Sequence, residues 1–180
     1  MVAAVGRPGH QVTGTLVVLA CAPALCPHAQ FALAEVLGRR ADLRWSPQPA
    51  LPGSVTARCE WQGPAGTAGR LASTLRRLTT ARFEVTEQAG PGTDGERYSY
   101  APGLGLHRAD LSANGDIVVR EGQLLSLLAA AATAAGAVRG GEPTVQHGLR
   151  ALLGLDWDDE LEPLRRGGDG IPVTTLRRTG

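Results

Sequence analysis

The sequence predicts an α+β protein, and three observations predict it. Residues 15–22, TLVVLACA, are continuously apolar, as a strand covered on both faces is. Residues 54–61, SVTARCEW, alternate strictly: Val55, Ala57, Cys59 and Trp61 point one way, Thr56, Arg58 and Glu60 the other. Two stretches of helical period are interleaved with four such strands, and only a short Pro/Gly break separates the second strand from the third. A parallel sheet needs a crossover helix at that break. The order is therefore the βαββαβ of a ferredoxin-like sandwich, with an added β-hairpin and C-terminal helices.

The elements follow in order. Residues 1–13 carry no period and read as a flexible arm. After the first strand, Pro27 suits the first turn of a helix whose apolar positions, Phe31, Ala34, Val36 and Leu37, are expected to pack inward. DLRWSPQ is the second strand, with Leu43 and Trp45 on one side, and SVTARCEW the third. The connector QGPAGTAG leads into RLASTLRRL, where Leu71, Leu75 and Leu78 repeat at i, i+4, i+7. ARFEVTE is the fourth strand, with Phe83 and Val85 inward and Arg82, Glu84 and Thr86 outward. RYSYAPGLGLHRADL and DIVVRE flank the turn SANG as a hairpin. An Ala/Leu-rich helix is expected from Glu121 to Val138 and another from Thr144 to Leu153. A short last helix, capped by Asp156, precedes a tail. The domain reading is a 1–13 arm, a 14–120 sandwich with hairpin, a 121–166 helical extension packed on it, and a 167–180 tail.

Composition excludes several functions. The chain of 180 residues has a net charge of +1, without the basic footprint of a nucleic-acid binder. It contains no lysine, so Schiff-base catalysis and a P-loop phosphate lysine are excluded. Three cysteines do not make a disulfide framework. TLVVLAC resembles the end of a lipoprotein leader. Its apolar run from Leu16 to Ala20 is shorter than the roughly 7–15 residues such a leader needs. No stretch reaches the roughly 20 apolar residues of a membrane span. The expectation is a cytoplasmic protein with no membrane partner.

The densest chemistry is CAPALCPH, residues 21–28. Cys21, Cys26 and His28 are zinc-compatible, but a structural zinc takes four ligands. The fourth, Cys59, is expected roughly 15 Å from Cys21 in an antiparallel pair at about 3.3 Å per residue. No metal or other cofactor is expected, and Cys21 and Cys59 read as small buried hydrophobes. A helix N-terminus lowers a thiol's pKa, so Cys26 is the one candidate for a reactive thiolate. GPAGTAG, with Gly66 and Gly69, resembles a phosphate-cradling loop without a P-loop's Lys-Ser/Thr. The acidic run Asp156–Glu162 lacks the alternating ligands of a calcium loop. No catalytic residues are assigned. The candidates for binding a partner or ligand are Cys26, Pro27 and His28 at the first helix entry, and Gly66 and Gly69 at the second. The first is favoured as the stiffer.

The strings APALCPHAQFAL, WSPQPALPG, EWQGPAGTAGRLASTLRRL, RFEVTE, GERYSYAPGLGLHRA, NGDIVV and DWDDELEPLR together resemble an actinobacterial family catalogued as a domain of unknown function, number three-one-four-five. The resemblance covers residues 14–166 and supplies no activity, cofactor or catalytic residue. It implies a cytoplasmic protein linked to fatty-acid synthesis. This chain has Phe31 where the family pattern has tryptophan.

The leading expectation is a non-enzymatic interaction or regulatory protein with a protein partner, a homodimer being one form of it. One alternative is an ACT-like sensor of a small anionic ligand. The other is a thiol-dependent enzyme using Cys26 with His28.

Overall fold

Strand β1 (Gln11–Cys21) lies inside a single sheet and pairs antiparallel with β3 (Val55–Pro64) on one side and β4 (Arg82–Glu87) on the other. The computed structural model describes residues 11–90, 93–136, 145–168, 170 and 172–176. Among them are eight strands and five α-helices. Beyond β3 lies β2 (Ser46–Pro47). Beyond β4 follow β5 (Gly95–Ala101), β6 (Gly105–Leu111) and β7 (Ile117–Val118), giving the order β2-β3-β1-β4-β5-β6-β7. These neighbours are all antiparallel. The last strand, β8 (Val173–Leu176), runs parallel to β3 along Arg58–Trp61.

The alternation in β3 does what its period dictates. Trp61 lies opposite Gly14 and Cys59 opposite Leu16, and all four are buried on one face. A side chain at Gly14 would collide with the Trp61 indole and with the Thr86 carbonyl, so only glycine fits under that ring. Helices α1 (Cys26–Leu37) and α2 (Thr67–Leu75) cover this face with Ala29, Leu33, Ala68, Leu71, Ala72 and Leu75. The opposite face is covered in part by α5 (Leu155–Gly167), whose Leu161 and Leu164 pack on Leu19, Ala20 and Ala101.

Ion pairs seat α5. The Arg165 fork donates to both Glu84 oxygens at 2.7 and 3.0 Å and to Asp158 at 2.6 Å, while Arg82 donates to Glu160 at 2.9 Å. Fork-on-carboxylate geometry fixes orientation as well as adding energy. A register shift in β1 between Val18 and Cys21 frees carbonyls from the ladder. Thr56 Oγ1 donates to Val18 O at 2.8 Å, and Gln48 Nε2 to Leu19 O at 2.7 Å and to Leu164 O at 3.1 Å. Gln48 is buried, so one amide ties the bulge to the end of α5.

Several expectations are corrected. Phe31 points outward, 71% exposed, and Ala29, Ala32 and Leu33 form the buried stripe of α1. Thr56 is buried, because the outer face at that point lies over the bulge. Arg82 and Glu84 do face away from the first core, but toward α5 rather than water. The strand expected over DLRWSPQ pairs only at Ser46–Pro47. The β3 edge it leaves open is filled by β8, in what reads from sequence as a tail. RYSYAPGLGLHRADL is itself a hairpin, β5 and β6 turning at Pro102-Gly103-Leu104, where Gly103 and Gly105 take φ of 87° and 81°. The last helix starts at Leu155 behind Gly154, not at an Asp156 cap. Most of the arm expected over 1–13 lies outside the described residues, although β1 already begins at Gln11. The break expected at GGEP also lies outside them.

The remaining helices, α3 (Glu121–Gly136) and α4 (Val145–Leu153), form a hairpin on each other. Gly148 lets them close up: a side chain there would meet Leu127 Cδ1 at 2.0 Å. No described side chain of either helix is fully buried. No described helix is long and apolar enough to cross a membrane.

Candidate functional site

The first helix entry is built where β1 ends. Cys21 is the last strand residue and is buried; Pro23–Leu25 form one 3-10 turn, and α1 starts directly after it. The turn consumes the donors that a helix start usually exposes. Leu25 N–H donates to Ala22 O at 2.9 Å, Cys26 N–H donates to Pro23 O, and Pro27 has no N–H. The edge therefore offers an anion fewer free amides than the sequence implies.

The two thiols meet over one carbonyl, with Cys21 Sγ 3.5 Å and Cys26 Sγ 4.0 Å from Ala22 O. Burial pushes the Cys21 thiol up to about 11, and the neighbouring Cys26 adds to the rise. Burial also raises Cys26, against smaller lowering from its own backbone and from Cys21. The helix start thus does not hold Cys26 as a thiolate, which corrects the activation expected from its position. His28 sits two residues on, and positions two apart on a helix do not face each other.

What this edge does present is side chains. Pro27 and His28 are exposed, and Phe31 lies one turn further along α1. Spacings of i, i+3 and i+4 put Pro27, His28 and Phe31 on one strip. Beside the end of β1, Cys21, Leu51, Pro52, Ser54 and Thr80 line a cleft of about 230 Å³.

Cys59 is far from this site. It pairs opposite Leu16, five positions along β1 from Cys21, and burial pushes its thiol up to about 12. Among the described residues no three His, Cys, Asp or Glu side chains come together as metal ligands.

The second entry carries its own anion. Gly66 takes φ of 83° ahead of α2, and the Glu87 carboxylate accepts from Gly66 N–H at 2.8 Å and Ala68 N–H at 3.0 Å. Glu87, buried at the end of β4, occupies the place of a bound phosphate. Gly69 is explained by packing, since the Tyr98 hydroxyl lies 2.9 Å from where its Cβ would be.

Two larger clefts escaped the sequence reading. One, of about 410 Å³, is lined by Thr13, Thr15, Glu60, Gln62, Gln88 and Thr175 together with Trp61 and Leu176; Glu60 is its charged group. The other, of about 460 Å³, lies between the end of α1 and the start of α2, with Arg39, Arg70, Gln11, Gln62 and Thr67 on its walls. Their residues are outward strand positions and helix ends, scattered along the chain, so no local motif announces them.

A family model described as Protein of unknown function (DUF3145) matches residues 15–178. The chain belongs to that family. No curated protein and no solved structure matches it. The DUF3145 match starts within β1 and takes in every later strand, including the closing strand β8.

Proposed function

We propose that this chain is a non-enzymatic interaction or regulatory protein that binds a protein partner through the entry of α1. The observation that carries the reading is Phe31, 71% exposed on a helix whose other face is locked into the core. Exposed aromatic side chains on rigid supports are the usual anchors of protein interfaces, because little freedom is lost when they are covered. Pro27 and His28 extend the strip toward the 3-10 turn. The raised Cys26 thiol, and a His28 that does not face it, favour binding over thiol catalysis. The scaffold we propose is a ferredoxin-like sandwich, supported by the order β2-β3-β1-β4 with α1 and α2 on one face. The link to fatty-acid synthesis implied by the family resemblance supplies the first partners to try.

Affinity capture from the native host with Phe31→Ala, His28→Ala and Cys26→Ala tests this. Each variant should keep its melting temperature within a few degrees, and Phe31→Ala should lose the partner by about tenfold or more, as an interface anchor does. Capture unchanged in all three would end the proposal.

A second reading, a sensor of a small anionic ligand, is favoured by the cleft holding Arg39 and Arg70. A guanidinium fork suits carboxylate or phosphate. A panel of organic phosphates and carboxylates should then raise the melting temperature, and Arg70→Ala should abolish the rise. No rise with any of them removes this reading.

A further inference from the structure

Helix α3 presents an apolar surface that no described element covers. Leu125 and Leu128 are 57% and 54% exposed, Leu124 is also exposed, and Leu127 turns toward Gly148 of α4. No residue from Gly122 to Gly136 carries a charge. The hydroxyls of Ser126 and Thr133 donate to their own helix, at 2.8 Å to Gly122 O and 2.9 Å to Ala129 O, so they ask nothing of a neighbour. A contiguous apolar surface of this kind marks an interaction site.

Its shape selects the occupant. At 100° per residue, Leu124, Leu125, Leu128, Ala131 and Ala132 fall within an arc of about 120°. The bulky members stand in the first half of the helix and the small ones in the second. We propose that α3 pairs antiparallel with α3 of a second copy of this chain, about a two-fold axis near Leu128. Antiparallel pairing sets Leu124 and Leu125 of each copy over Ala132 and Ala131 of the other, with the two Leu128 side chains meeting at the axis, so that large side chains interdigitate with small on either side of it. Parallel pairing would put leucine on leucine at one end and leave a gap at the other. The two-fold arrangement closes on itself and uses the same patch twice. The uncharged stretch from Gly122 to Gly136 meets its own copy with no like charges opposed, whereas a charged partner would find nothing to pair with. At 1.5 Å per residue the stripe from Leu124 to Ala132 runs about 12 Å along α3, and the two-fold pairing lays it along its whole length against the same stripe of the second copy.

Sedimentation velocity of the full chain, from about 1 to about 100 µM, reads this directly. The expected result is a dimer at the upper end, with the double variant Leu125→Glu/Leu128→Glu weakened by about 100-fold or more. Glutamate is a good helix former at exposed sites, and circular dichroism checks that the variant keeps its helices. If that variant fails to fold, cross-linking in a Cys26→Ser background takes its place. Leu128→Cys should join two copies under mild oxidation by diamide, and Gln123→Cys, on the other side of α3, should not. A wild-type chain that stays monomeric at about 100 µM overturns the proposal and leaves the face to a different protein. So does a dimer indifferent to the double variant, or equal cross-linking at positions 123 and 128.

Discussion

Strand β3 and helix α3 are both rich in apolar side chains, and the fold treats them oppositely. Ala57, Cys59 and Trp61 lie within 2% of full burial, while Leu124, Leu125 and Leu128 keep more than a third of their surface in water. The difference lies in direction. In β3 every apolar residue shares one parity, so a single face carries the whole set and two helices close over it. In α3 the apolar residues run nearly all round the helix, and one neighbour, α4, can cover only one side. Apolar content therefore does not by itself decide burial. Whether enough neighbouring surface is available to match the apolar face decides it, and for α3 the described elements supply too little.

Substitutions at the two places should separate them most widely. Trp61→Ala removes the ring packed over Gly14 and should cost about 3–5 kcal/mol, whereas Leu125→Ala should change the stability of the monomer by about 0.5 kcal/mol or less. Urea denaturation at low protein concentration measures both. Comparable losses would mean that α3 belongs to the same core.

A smaller effect is expected where the sandwich satisfies its own backbone. Glu87→Ala leaves the Gly66 and Ala68 amides without their acceptor and should cost about 1–3 kcal/mol. The vacated cradle should then take an anion, so inorganic phosphate should raise the melting temperature of this variant and not of the wild type. If phosphate stabilises both equally, the cradle is not what Glu87 occupies.

Acid should act on the hairpin before the sandwich. His107 on β6 packs at a tilt against Trp157 with centroids 4.9 Å apart, and its Nε2 lies 3.1 Å from Ala151 O at the end of α4. Burial holds the imidazole below the ordinary histidine value; the Ala151 and Leu152 carbonyls and Asp158 oppose this, and Arg97 adds to it. A depressed folded-state value means that the neutral ring is the one the fold prefers. The stabilisation is complete above the unfolded value of about 6.5 and is lost as pH falls through the lower folded one. As pH falls below the ordinary histidine value, the protection factors of the α4 amides should drop while those of β1 hold. A transition centred above about pH 6.5 would reverse the sign and refute the assignment.

The smallest effect belongs to the open part of the sheet. Arg58 is exposed on β3, and Arg58→Ala should stay within about 0.5 kcal/mol. A larger loss would show that this face too is covered, as it is over Thr56.

Much of the first core was legible because strand and helix periods are local. Val55 to Trp61, Leu71 and Leu75, and Phe83 and Val85 all point where their spacing puts them. Phe31 was misread because the apolar positions of α1 fit more than one stripe, and Ala29, Ala32 and Leu33 form the better match to the sheet. The candidate edge at Cys26–His28 was legible as a strand-to-helix junction. Its chemistry was not, since the 3-10 turn that consumes the amides and the burial that raises the thiol are products of packing. Glu87 could not have been found from GPAGTAG, because the carboxylate arrives from the next strand.

By itself the sequence determined the local periods, and with them the interleaved strands and helices, the buried face of β3 and the absence of lysine chemistry. These follow from neighbours two to four positions apart, whose relations hold wherever the segment ends up. Only the tertiary structure decided what covers the second face, what fills the edge beside the short β2 and which group caps α2. Each of these is settled by a surface or a hydrogen-bonding group left unmatched once the nearer elements have packed. Leu161 and Leu164 of α5 bury Leu19 and Ala101, β8 answers the bare edge of β3, and Glu87 answers the amides of Gly66 and Ala68. The partners come from remote parts of the chain because matching depends on shape and charge across space, not on distance along the sequence.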